Sequence, residues 1–141
     1  MSRLIDDLKA EHLQIIRLVQ DARFLGLSSP EGIAELSSGK ALILAHLETE
    51  DAKLYPAMWA HPETNSIANK FSDEMKGLVE TASELFTVVE DGQTGPDVDD
   101  LLGRVASALI ARIAEEEMLL FPAYDSQISS VAVRGSADSQ E

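Results

Sequence analysis

Residues 112–122 read RIAEEEMLLFP, and residues 46–56 read HLETEDAKLYP. Extended at the C-terminal side, HLETEDAKLYPAM (His46 to Met58) aligns without gaps to RIAEEEMLLFPAY (Arg112 to Tyr124). His46 then matches Arg112, Glu50 matches Glu116, Tyr55 matches Phe121, and Pro56 matches Pro122. Residues four apart share a helix face. The apolar positions Val105, Leu109, Leu119 and Leu120 mark the face of Arg112 and Glu116 as the inward one. A cation and a carboxylate pointing into a helix's own core need an explanation, and the repeat says that the explanation applies twice.

The helical pattern extends outward from these two segments over most of the chain. A first helix is expected from Ser2 to Leu25, with Leu4, Leu8, His12, Ile15, Ile16 and Val19 on one face. Gly26 fits a left-handed cap. Ser29 and Pro30 fit an N-cap and a first-turn residue. The second helix should run to about Ala60, with Ile33, Leu36, Ile43, His46, Leu47, Glu50 and Leu54 inward. Gly39 and Pro56 are its weak points. The third begins between Pro62 and Ser66 and turns Phe71, Met75, Leu78, Ala82, Leu85, Phe86 and Val89 inward. DGQTGPD (Asp91 to Asp97) is a loop. The fourth runs from Asp97 to Asp125. The expected fold is all-α, an up-down-up-down antiparallel four-helix bundle over residues 1–125, with 126–141 as a mobile Ser- and Asp-rich tail.

Composition narrows the function. The chain has 141 residues, one domain's worth and enough for a real core. Its net charge of −14, with no basic stripe, argues against nucleic acid and against anionic membranes as partners. Cysteine is absent, which removes disulfides, thiol catalysis and thiolate metal sites and fits a reducing compartment. The start, MSRLIDDLKAEH, lacks the apolar core of a secretory signal, and no later apolar run is long enough to span a bilayer. A cytoplasmic protein is expected.

Ionisable residues interrupt three of the apolar stripes: His12, then His46 with Glu50, then Arg112 with Glu116. Burying unpaired charge costs several kcal/mol per ion, so these groups should meet one another, a metal or water. Facing helices of a bundle commonly build metal sites from such side chains. HLETEDAKLYP resembles the His-x-x-x-Glu motif of the hemerythrin-like, or HHE cation-binding, family. EHLQIIRLV around His12 resembles that family's first-helix histidine motif. RIAEEEMLLFP resembles its last motif, which normally begins with histidine. KFSDEMKGLVE resembles its third-helix motif, where a histidine is expected. The resemblance spans the helical region to about Tyr124. It implies a four-helix bundle around a non-heme di-iron centre with about five histidines and two bridging carboxylates, associated with oxygen binding or sensing. Carried over by position, His12, His46 and Glu50 match ligands, and Glu116 or Glu117 matches the second carboxylate. These two differ by about 100° of helix rotation, so only one points inward. The apolar stripe favours Glu116, and the family's longer spacing favours Glu117.

The departures from that pattern are Met75 and Arg112, both at expected histidine positions. Val79, one turn beyond Met75, is no ligand, and His61 lies apart in the loop WAHPET. A thioether suits a hard, oxygen-bridged iron poorly, and an arginine has no lone pair to give. A divalent ion beside Arg112 would meet roughly 8 kcal/mol of repulsion at about 4 Å and an effective dielectric near 20, before carboxylate compensation. Two arrangements remain. In one, Arg112 is the site's own cation, reaching Glu116, Glu50 or Glu74, with His12 and His46 completing a polar network. In the other, His12, His46, Glu50 and Glu116 hold one iron or zinc ion. The physical costs favour the first, so no cofactor is expected, with one Fe or Zn ion as the alternative. The expected role is a regulatory or protein-interaction module with a degenerate site and a protein partner. No enzyme is expected, since neither a nucleophile beside a base nor a glycine-rich phosphate loop occurs, and mononuclear iron chemistry with oxygen or peroxide is the one catalytic version left open. The alternative is a single-ion protein that senses oxygen, redox state or metal.

Each residue also has a plainer role open to it. Met75 serves as a core filler. Glu48, Asp51, Glu115 and Glu117 serve as solvated charges. Arg112 can snorkel outward to Glu115. Tyr55 and Trp59 serve as packing residues.

Overall fold

The computed structural model describes residues 2–129. Helix α1 spans Arg3–Leu25, α2 Pro30–Thr49, α3 Tyr55–Trp59, α4 Asn65–Glu90, α5 Pro96–Glu115 and α6 Phe121–Tyr124. Wide π turns join α2 to α3 (Glu50–Leu54) and α5 to α6 (Glu116–Leu120), and a third follows α6 (Asp125–Ser129). Joined through these turns, the segments make four rods, as the repeat and periodicity predict. The α1 rod packs along α2 and α5, α4 packs along α5, and α3 meets α4. The last rod continues past Tyr124 to Ser129, and Ile128 packs against the core beyond the expected end at Asp125. The tail expected at 126–141 lies outside the described residues from 130 onward.

Local chemistry explains the boundaries. Ser2 and Ser29 cap α1 and α2 by accepting the N–H groups of Ile5 and Gly32. Gly26 ends α1 at φ 80° and ψ 150°, a positive-φ but extended conformation rather than the left-handed helical cap expected. Gly39 neither breaks nor kinks α2, because it is buried and sits against Leu18 and Val19 of α1.

The π turns are the main local departure from an ordinary helix. Pro56 and Pro122 have no N–H to donate, and in a regular α-helix each ring would press on the carbonyl four residues back. The chain widens there instead. The N–H of Tyr55 bonds the carbonyl of Glu50, and the N–H of Phe121 bonds that of Glu116, each five residues back. One extra residue per turn rotates everything that follows. Leu54, Tyr55 and Met58 therefore face inward after Glu50, and Leu120 and Phe121 after Glu116. Leu119, expected inward from a regular period, is 50% exposed.

The core divides into two clusters. One holds Ile15, Leu36, Leu85, Leu102, Val105 and Ile113 among others. The other holds Ile5, Leu8, Leu54, Tyr55, Phe71, Leu120 and Phe121 among others. On α1, His12 falls between Leu8 and Ile15. On the last rod, Glu116 falls between Ile113 and Leu120. A polar layer thus separates the two clusters.

Candidate metal centre

His12, Glu50 and Glu116 are fully buried in that layer, and His46 nearly so. One ligand atom from each of the four lies within 4.8 Å of the others. His12 Nε2 stands 3.1 Å from His46 Nε2 and 2.9 Å from Glu116 Oε1. His46 Nε2 stands 3.3 Å from Glu50 Oε2 and 3.7 Å from Glu116 Oε1. The structure therefore brings together all four residues read as ligands. It also decides between the two adjacent acids: Glu116 enters the layer, while Glu117 turns to the outer ring nitrogen of His12.

The outer ring nitrogens define the inner ones. His12 Nδ1 lies 2.8 Å from Glu117 Oε2, and His46 Nδ1 lies 2.7 Å from Glu11 Oε1. A carboxylate oxygen accepts, so each Nδ1 carries the hydrogen. Four atoms that present lone pairs, two Nε2 and two carboxylate oxygens, then converge on one another. Only protons or a cation placed among them make this arrangement stable. Glu50 Oε1, Glu50 Oε2 and Glu116 Oε2 are buried with no hydrogen-bond partner. Unpaired buried oxygens of this kind are costly, and they point to the same need.

The titration of the group follows from its crowding. Burial opposes charge on His46, but the facing carboxylates of Glu116 and Glu50 outweigh it and raise the imidazole to about 10. Burial pushes the Glu50 carboxyl up, and the neighbouring charge of Glu116 adds to it. Burial acts the same way on Glu116, but its contact with His12 and the facing His46 and Glu50 outweigh it and hold that carboxyl low. Free of metal, these shifts favour a proton on Glu50 and on His46 and an ionised Glu116. The Tyr55 hydroxyl is buried without a partner and is pushed upward by burial and by the charges of Glu50 and Glu116.

Arg112 does not take the place of a metal among these groups. Its Nη2 donates to Glu74 on α4 and, at 3.2 Å, to Glu115 on its own helix. Its Cζ lies 4.9 Å from the centre of the Phe71 ring, a cation–π distance. None of its ion pairs goes to Glu50 or Glu116. Of the three carboxylates expected to receive it, only Glu74 does. It has neither snorkelled free nor entered the ligand set: its side chain is 13% exposed, and Nη1 is buried without a partner. Met75 is buried and lines a small apolar void beside His12, His46 and Glu116, with Leu78 and Val79 next to it. The α4 side of the layer thus offers a thioether and hydrocarbon.

Sequence reasoning misses two contributors. Glu11 carries no signal of its own, because it serves a histidine on a different helix from its neighbour His12. Glu117 reads as an alternate ligand or a solvated charge, and it serves His12 instead. Phe121 adds a third contact, stacking on the His12 ring at 5.4 Å.

The donor set of these four residues suits one ion. Ligand atoms around a tetrahedral zinc, at bond lengths near 2.1 Å, stand about 3.4 Å apart. Four of the separations, 2.9 to 3.7 Å, bracket that spacing, and one atom from each residue lies within 4.8 Å of the others.

The model of one protein family, the hemerythrin HHE cation binding domain, matches residues 3–124, and the chain belongs to that family. Neither a curated protein nor a solved structure matches the chain.

Proposed function

We propose that this hemerythrin-family chain is a single-ion protein, holding one iron or zinc ion through His12, His46, Glu50 and Glu116 in a binding or sensing role. The observation that carries the reading is the convergence of two Nε2 atoms and two carboxylate oxygens, each histidine backed at Nδ1 by an outer carboxylate. Such an ion would supply Lewis acidity or, as iron, a redox change. The side chains do the rest. Glu50 and Glu116 neutralise a divalent charge. Phe121 and the apolar void keep water from the His12 side. The pairing of Arg112 with Glu74 puts a fixed cation between α5 and α4. Metal analysis after anaerobic loading with Fe²⁺ or Zn²⁺ tests the reading: one ion per chain supports it, and His46→Ala or Glu50→Ala should abolish uptake.

A metal-free regulatory module is the second reading. It is favoured by the ability of His46 and Glu116 to satisfy each other without an ion. The net charge of −14 then suits a protein partner with a basic face, and binding should weaken as salt rises. Complex formation that is insensitive to salt would count against such a partner.

A further inference from the structure

We infer that Glu11 and Glu117 are positioning residues of this site, holding both histidines in the tautomer that can bind metal. The inference rests on the single-ion reading and adds residues to it. Each contact crosses a helix interface. Glu117, in the turn after α5, holds His12 on α1. Glu11, on α1, holds His46 on α2. The result is a chain of contacts from the last rod through α1 to α2. The two acids each sit beside a ligand in sequence: Glu11 precedes His12 and Glu117 follows Glu116. In both pairs one residue enters the layer and its neighbour braces a histidine reaching in from another helix.

The chemistry assigns the role. A neutral imidazole can carry its hydrogen on either nitrogen, and only the nitrogen without it can bind an ion. At 2.8 and 2.7 Å, the carboxylates fix that hydrogen on Nδ1 in both rings. They also stop the rings from rotating and make Nε2 a stronger donor. Their own side chains are 38% and 36% exposed, so they keep part of their hydration. The bracing is therefore obtained without burying two more charges.

The test compares the full chain with Glu11→Gln, Glu117→Gln, the double variant and Glu48→Gln, an exposed acid that serves as the control for lost charge. Zinc affinity is read by competition with a chromophoric chelator, and ring tautomers are read from histidine ¹⁵N shifts of the metal-free chain. Each single variant should weaken zinc by roughly 10- to 100-fold, the usual effect of losing an outer carboxylate. The Nδ1 shift of the affected ring should move, and Glu48→Gln should change neither measurement. Glu117→Asp should recover part of the affinity. Variants that bind zinc like the parent, with unchanged ring shifts, would overturn the inference and leave the single-ion reading standing. A parent chain that takes up no zinc would overturn both.

Discussion

His46–Met58 and Arg112–Tyr124 are two copies of one pattern, and the molecule uses them differently. Both carry a buried glutamate, a wide turn and a proline at matching places. Both bury the aromatic that follows the turn, Tyr55 in one and Phe121 in the other. They diverge a single turn before the glutamate. His46 meets His12, Glu50 and Glu116, while Arg112 leaves the layer for Glu74 and Phe71 on α4. The backbone has kept its symmetry while the chemistry has lost it. Each segment turns its glutamate into the polar layer, but only His46, and not Arg112, joins the glutamates there. Arginine cannot be a ligand, yet it remains useful as a tie between α5 and α4.

The largest effect should come from truncating the two matched positions separately. His46→Ala should eliminate stoichiometric metal and destabilise the metal-free chain by about 3–5 kcal/mol, since Glu116 and Glu50 lose their buried partner. Arg112→Ala should leave metal content unchanged and cost about 1 kcal/mol, because Glu74 is partly solvated and the contact with Phe71 is modest. Metal analysis and urea denaturation of both variants check this. Equal effects would end the distinction between the two segments.

Restoring the symmetry is the next test. Arg112→His together with Met75→His should raise iron uptake above that of the parent, because the second side then offers two imidazoles beside Glu50 and Glu116. Iron content that stays at the parental level would mean that the α4 side has diverged beyond these two positions.

The pH dependence of the metal-free chain should follow Glu50 and His46. Their folded values, about 8 and about 10, lie above the ordinary 4.5 and 6.5. Each therefore contributes stability that is fully present below its ordinary value and is lost as pH rises through its folded value. Glu116, shifted down to about 2, acts at the other end, with stability present above 4.5 and lost as pH falls through about 2. Thermal melts with a chelator present should show stability falling between pH 7 and pH 10. The ion-loaded chain should be nearly flat over that range, because the ion has replaced the protons. A flat metal-free profile would mean that Glu50 is not protonated in the fold.

The smallest effect concerns the aromatic pair. Tyr55→Phe makes the two segments alike and removes a buried hydroxyl without a partner. It should be neutral or stabilise by up to about 1 kcal/mol in urea denaturation. A loss of more than that would reveal a bridging water at this hydroxyl.

Much of this is legible in the sequence. Four apolar stripes predict the four rods, and the alignment of the two segments places Glu50 and Glu116 at one level. His12, His46, Glu50 and Glu116 stand out as polar interruptions, and the structure brings all four together. The orientation of Leu119 and Phe121 is not legible. Proline signals a defect in a helix but does not say that the helix will widen by one residue, and that residue rotates the rest of the face. The direction of Arg112 is not legible either, since a long side chain goes to whichever acid a neighbouring helix presents. Glu11 and Glu117 are hidden for the same reason, because each serves a histidine on another rod.

The central claim is that the layer is built for one ion. Anaerobic titration of the wild-type chain with Fe²⁺ or Zn²⁺, followed by removal of free metal and elemental analysis, tests it most directly. The account predicts one ion per chain, lost on Glu116→Ala and retained on Arg112→Ala. Two ions per chain would contradict it, and so would none.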